Sequence, residues 1–384
     1  MKLQDSNCKA FLALVRAGLW EEKVYLYEYG KIDYGRVLEL AQEQTVVGLV
    51  TTGLEHIKDV RVPQEYVLQF VGLTLQEEQR NSSMNSFIAD IIEKLWRKDI
   101  YTLLVKGQGI AQCYERPLWR SSGDVDLLLS KDNYEKAKAF ILPKGVLTEP
   151  EEAGKKHLAM QVGQWAVELH GTLRVGLSKR VDRVLDKVQH DIFYGGQVRS
   201  WMNARTQVFL PAAIEDVVYV FTHILQHFYK GGIGLRQICD WCRLLYTYRD
   251  SLNHGLLESR IRKMGLMSEW KVFGALAIEY FGFPKDSMPL LDVRCKKEDG
   301  RCEIDKRLRR KADRIMEFVL KSGNMGYNRD MSHFSKYPYL IRKCVSMGRR
   351  INDLINHAKI FPLDSLRFFP YIMFNGLRSA MRGE

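Results

Sequence analysis

Two aspartates one residue apart, Asp124 and Asp126, open the apolar string Asp124-Val125-Asp126-Leu127-Leu128-Leu129. In an extended strand residues i and i+2 share a face, so the two carboxylates project together while Val125 and Leu127 point into a core. Like charges that close repel unless a cation neutralises them. Magnesium or manganese, which take hard oxygen ligands, are the natural occupants. A third acid, Glu168 in Val167-Glu168-Leu169, again interrupts an apolar run. If its strand lies beside the first, the three carboxylates complete a site for two metal ions, able to activate an attacking hydroxyl and to hold triphosphate oxygens. A single acid in a strand is ordinarily solvent-facing. Three in apolar settings resist that explanation, because an unpaired carboxylate there is costly.

Upstream, Thr102-Leu103-Leu104-Val105 runs into Lys106-Gly107-Gln108-Gly109, ahead of a short helix expected to begin near Ile110. Glycines there let the backbone approach a phosphate, amides at the helix start can donate to it, and Lys106 or Arg120 adds positive charge. Alone, such a string is an ordinary strand-to-helix turn; beside the acids it gains weight. Ser122, just ahead of the aspartates, joins Lys106, Gly107, Gln108 and Arg120 on this phosphate-facing side.

These residues need rigid elements to hold them. From about Ser6 to Asp99 the apolar spacing is helical: FLALVRAGLW, then YGRVLELAQEQTVVGLV as one run, then a long amphipathic stretch from Glu65 to Lys98. Within that stretch, Phe87, Ile88, Ile91, Ile92 and Leu95 mark the inward face. The period then changes to short apolar runs bounded by turn signals. TLLV (102–105) and VDLLL (125–129) read as strands, Ser130 caps the helix DNYEKAKAFI, and HLAMQV (157–162) and WAVELHGTL (165–173) flank a hairpin turn at Gly163-Gln164. After Pro211 the pattern is helical again, in AIEDVVYVFTHILQHFY, IGLRQICDWCRLLYTY and weaker basic helices to the end. The expected fold is α+β: a small mixed β-sheet core over 100–210 between an N-terminal helical region, 1–99, and a C-terminal helical, basic region, 211–384.

A strand ending in Lys106-Gly107, a short helix, Arg120, then Gly123-Asp124-Val125-Asp126-Leu127-Leu128-Leu129 and a later Val167-Glu168-Leu169-His170 resemble the nucleotidyltransferases of the DNA polymerase beta superfamily. Within it the chain is most similar to an uncharacterised bacterial group of nucleotidyltransferase family proteins. The resemblance is strongest from Leu103 to Leu173. It extends less specifically over Ile214 to Leu245, where Glu215-Asp216-Val217, His223, His227 and Asp240 resemble that group's helical region. It implies nucleotide phosphates at Gly107 and Gln108, magnesium at Asp124, Asp126 and Glu168, and transfer of a nucleoside monophosphate from an NTP to an acceptor hydroxyl. The turn departs from the Gly-Gly or Gly-Ser usual in the superfamily. A non-catalytic nucleotide-binding or interaction protein that keeps the fold is the alternative, favoured by that turn and opposed by the three acids.

Weaker signals surround this constellation. His170, two residues after Glu168, shares its face and either orients a carboxylate or phosphate or is a structural histidine. His223 and His227, four apart on a helix, have the spacing of a shared metal site, but no glutamate follows His223, so a packing or substrate-facing role is favoured. With Arg236 and Asp240 on the next helix they are assigned to the acceptor side of the cleft. Cys239-Asp240-Trp241-Cys242 lies within a helix with no second cysteine pair nearby, which argues against zinc or redox chemistry.

Composition bounds the rest. The chain has 384 residues, 46% hydrophobic and 27% charged, which excludes a disordered or fibrous chain. No apolar run approaches the ~18 residues of a membrane span. The first residues do not read as a secretory signal, and seven cysteines, an odd number, argue against a disulfide framework. A cytoplasmic protein is expected. The net charge of +12 is uneven, with 18 Lys and Arg against 8 Asp and Glu from Arg301 to Glu384. That segment either solubilises a helical surface or attracts an anionic partner, RNA or a membrane surface. Its aromatic and basic strings, Tyr337 to Lys343 and Leu366 to Tyr371, read first as helices packing an aromatic face.

Overall fold

Asp5 accepts a hydrogen bond from the Cys8 amide and starts α1 (Ser6–Trp20) in the computed structural model, which describes residues 3, 5–148, 151, 156–291, 294–295, 302–328 and 339–381. The run expected as one helix from Tyr34 to Val50 is two, α2 (Tyr34–Glu43) and α3 (Val47–Glu55). The break falls at Thr45, whose φ of 54° is left-handed and cannot continue a right-handed helix. Buried Gln44 beside it accepts from the Leu235 amide and donates to the Val319 carbonyl, tying the break to distant segments. α1 and α3 cross closely because Gly18 and Gly53 leave room: a Cβ on Gly18 would lie 1.8 Å from the Leu49 carbonyl oxygen.

The long helix α4 (Gln64–Trp96) buries Phe70, Thr74, Asn81, Met84, Ile88, Ile91, Ile92 and Leu95 along one stripe. Its C-terminal half packs on a five-stranded sheet of β1 (Thr102–Val105), β2 (Asp124–Leu129), β3 (Val146–Leu147), β4 (His157–Val162) and β5 (Trp165–His170), in the order β1-β2-β5-β4-β3. Only the β2–β5 pair is parallel, so the sheet is mixed. Alternation divides its faces. Leu104, Val125, Leu127, Leu129, Leu158, Met160, Val167 and Leu169 pack with α4 and with α6 (Lys131–Ile141), which Ser130 caps by accepting from the Asn133 amide. Residues of the other parity, including Asp126, Glu168 and His170, are left to the opposite face.

The short helix α5 (Gly107–Ala111) starts three residues before the expected Ile110. Between Leu173 and Pro211, where the sequence reading assigns no element, the chain forms α7 (Lys179–Tyr194) and a hairpin of β6 (Val198–Asn203) and β7 (Thr206–Pro211). Then come α8 (Ala213–Lys230), α9 (Leu235–Thr247), α10 (His254–Met264), α11 (Met267–Phe281) and α12 (Lys306–Ser322), followed by helices Tyr339–Ala358 and Pro362–Met381. Phe221 of α8 joins Trp241 of α9 and Trp270 of α11, at ring-centre distances of 5.3 and 4.8 Å, in the core of this region. In the last helix Phe368 is fully buried against Tyr229, the packing role expected of its string, while Leu366 stays exposed. Tyr337 and Pro338, which open the other aromatic string, lie outside the described residues. Among the described residues no helix is long and apolar enough to cross a membrane.

Candidate functional site

The parallel register of β2 and β5 sets Asp126 directly beside Glu168. With Asp124 on the same face, one carboxylate oxygen from each of the three acids lies within 4.8 Å of the others. Asp126 is buried, 1% exposed, whereas the Glu168 side chain keeps 27% of its surface open. Repulsion from Asp126, then burial, pushes the Asp124 carboxyl up from its ordinary range despite the nearby Lys106. Burial alone would raise Glu168 too, but hydrogen bonds with His157 and His170 outweigh it and hold the carboxyl low.

Lys106 follows the last residue of β1, whose Val105 pairs with Asp126. It turns the chain at a φ of 56°, and its Nζ lies 2.7 Å from Asp126 Oδ1. Burial would discharge this ammonium; Asp126, Tyr219, Asp124 and Glu168 together hold its pKa above the usual value. Gly107 passes so close to β2 that an added Cβ would stand 3.3 Å from the Asp124 carbonyl oxygen, at a φ of 41° that favours glycine.

The other residues assigned to the phosphate side turn into the interior. Gln108, 1% exposed, donates to Asn81 Oδ1 (2.9 Å) and Ser122 Oγ (3.1 Å). Arg120 donates to Ser122 Oγ and, through two nitrogens, to both carboxylate oxygens of Asp240, at 3.0 and 2.5 Å. Tyr114 Oη donates to the same carboxylate at 2.8 Å. The structure therefore places Asp240, assigned to the acceptor side, opposite Arg120 in a buried pair, because a guanidinium and a carboxylate withdrawn from water each require the other. Asn81 completes the network by donating to the Leu118 and Arg120 carbonyls. Neither Asn81 nor Tyr114 is singled out by the sequence reading. The available signal is a polar residue on the apolar stripe of α4.

His223 and His227 do reach the acids' side. His223 Nε2 lies 3.4 Å from Lys106 Nζ and 3.2 Å from His227 Nε2. Burial, then Lys106, depresses both, His227 to about 4, so both imidazoles are neutral near pH 7. Tyr219, one turn before His223 on α8, shares that face; burial pushes its hydroxyl up to about 12. Arg236 donates to the Ser121 carbonyl at 2.8 Å and is a cation close enough to pull the Asp124 pKa down.

His170 Nε2 is 2.7 Å from Asp126 Oδ1 and 3.3 Å from Glu168 Oε2. The contacts with those two carboxylates outweigh burial and raise the His170 pKa. His157, which the sequence reading passes over as the first residue of a strand, stands opposite His170 in the β4–β5 register, with its Nε2 3.1 Å from Glu168 Oε2. The arrangement is a carboxylate cluster on a rigid sheet, partly open to water at Glu168 and His157 and backed by Lys106, Arg236 and neutral histidines of α8. Its three acidic side chains are a hard oxygen donor set that suits magnesium or manganese.

No curated protein and no solved structure matches the chain. A family model described as an uncharacterised nucleotidyltransferase matches residues 30–282. That span contains every residue of the cluster and more than half of the chain, which therefore belongs to this nucleotidyltransferase family.

Proposed function

We propose that the protein is a magnesium-dependent nucleotidyltransferase that moves a nucleoside monophosphate from an NTP to an acceptor hydroxyl. The observation that carries this reading is the convergence of Asp124, Asp126 and Glu168 on the parallel β2–β5 pair, with more carboxylate charge than Lys106 alone offsets. These three residues would hold magnesium or manganese, which when bound supplies charge that lowers the acceptor hydroxyl's pKa and steadies triphosphate oxygens. Gly107 lets the backbone come close to the nucleotide. Lys106 and Arg236 offset phosphate charge where water is partly excluded. Arg120, Gln108 and Ser122 act one step back, by fixing the turn that carries Lys106 and Gly107. In the reaction the acceptor oxygen bonds the α-phosphorus and the bond to the bridging oxygen breaks. Pyrophosphate leaves, and the hydroxyl proton passes to Glu168 or water.

The acceptor we assign is a small molecule or sugar, ahead of RNA or a protein hydroxyl, which only the basic C-terminal segment supports. The test incubates the full chain with each labelled NTP, magnesium or manganese, and cell extract, beside the Asp124→Ala/Asp126→Ala variant. Label transfer and pyrophosphate release are expected from the first and not the second. Transfer that persists in the variant would remove the assigned site. Metal-dependent NTP binding without transfer would favour the non-catalytic alternative, for which the inward-turned Gln108 is the structural argument.

A further inference from the structure

We propose that His157, Glu168 and His170 form a second metal site, suited to a first-row transition-metal dication such as zinc or cobalt(II) rather than to magnesium. The β4–β5 register makes His157 and His170 direct cross-strand partners, so their imidazoles rise from the same face. Glu168, two residues before His170, shares that face and lies diagonal to His157. The Nε2 atoms of both imidazoles lie near one carboxylate oxygen, Glu168 Oε2, at 3.1 Å from His157 and 3.3 Å from His170, whose Nε2 is also 2.7 Å from Asp126 Oδ1. One donor atom from each of the three residues lies within 4.8 Å of the others.

Bonds of ~2.0–2.1 Å from nitrogen and oxygen to zinc put neighbouring donors roughly 3–3.5 Å apart. The Glu168 oxygen is already at that spacing from both histidine nitrogens, on strands whose pairing fixes the backbone. Two imidazoles with one carboxylate are donors that first-row dications accept and that magnesium, which demands oxygen, does not favour. The side chains of His157 and Glu168 are 36% and 27% exposed, which leaves a path for entry and room for water as a further ligand. His170, 9% exposed, is the buried end of the set, and a bound ion would compete with Asp126 for its Nε2. Glu168 belongs to both donor sets, so ions at the two sites would share that carboxylate. This site goes beyond nucleotidyl transfer and needs neither nucleotide nor turnover.

The test uses the metal-free full chain, cobalt(II) as the probe, and excess magnesium to occupy the oxygen site. A single cobalt per chain is expected, with the visible bands of nitrogen and oxygen ligation and no thiolate charge-transfer band. His157→Ala and His157→Gln, each checked for a wild-type thermal melt, should weaken cobalt binding by more than ~10-fold, whereas Asp124→Asn should leave it in place. Equal binding by the His157 variants, thiolate bands, or no cobalt bound by the folded wild-type chain would each overturn the site and show that the three side chains are only a hydrogen-bonded triad. Because the readout is binding alone, a failed transfer assay with intact cobalt binding would remove the proposed enzyme activity and keep this site.

Discussion

The Lys106 ammonium sits 2.7 Å from Asp126 Oδ1, beside the carboxylates of Asp124 and Glu168 that converge on the same place. Asp126 is almost fully buried, so this ion pair, with His170 on the same carboxylate at 2.7 Å, offsets part of the charge that the three acids bring together. Removing one partner of a buried pair typically costs roughly 3–5 kcal/mol. Lys106→Met should therefore melt well below wild type, and a divalent cation should restore part of the loss, because it can take over the missing charge. Thermal melts with and without magnesium measure this. The magnesium-induced rise in melting temperature should be larger in the variant; equal rises would mean that Lys106 is not the countercharge.

Arg120 and Asp240 make a second, separate case. Their side chains are 6% and 5% exposed, and two guanidinium nitrogens meet both carboxylate oxygens. Asp240→Ala should cost roughly 3–5 kcal/mol by stranding the buried guanidinium, and a joint Arg120→Met/Asp240→Leu change should recover much of that stability. If Asp240 instead faced an acceptor, Asp240→Ala would raise KM for the acceptor while leaving the melting temperature close to wild type.

This pair shows where the sequence is legible and where it is not. Parity within one strand is local, so the shared face of Asp124 and Asp126, and of Glu168 and His170, follows from spacing alone. Which strand lies beside which is not local. The placement of Glu168 against Asp126 needs the β2–β5 register, and the partners Arg120 and Asp240 are 120 residues apart. The break at Thr45 and the β6–β7 turn at Ala204, with its φ of 53°, carry left-handed residues that are neither glycine nor asparagine, so the usual punctuation is missing there. α7 does carry its signal, with Ser178 as cap and Val181, Leu185, Val188 and Ile192 at helical spacing. His157 carried none, since a histidine opening a strand gains meaning only from the residue across from it.

Asn81 is the hub that orders the glycine turn from behind. Its amide nitrogen donates to two carbonyls, those of Leu118 and Arg120, and its oxygen accepts from Gln108. Asn81→Ala should destabilise the protein by about 1–3 kcal/mol for the buried groups left unpaired. Asn81→Asp should do at least as much harm, because a carboxylate cannot donate to the two carbonyls. Chemical denaturation of the three proteins checks the order. A wild-type midpoint for Asn81→Asp would show that the two carbonyls are served some other way.

Glu269 on α11 is fully buried and accepts from Tyr229 Oη at 3.1 Å, while its other carboxylate oxygen has no hydrogen-bond partner among the described residues. Burial first, then the charge of Asp364, pushes its carboxyl from 4.5 up to about 8. The folded chain thus keeps a proton on Glu269 at neutral pH that the unfolded chain has already released. Folding stability from this group is fully present below pH 4.5, declines as pH rises above that value, and is lost once the pH passes about 8. Glu269→Gln retains the shape and cannot ionise, so its melting temperature relative to wild type should climb from about pH 5 and level off above about pH 8. Comparing the two proteins across that series cancels the titrating groups that do not interact with Glu269. A constant difference over the range would show that Glu269 is already ionised in the fold, and with it that Asp364 is not held beside a neutral carboxylic acid.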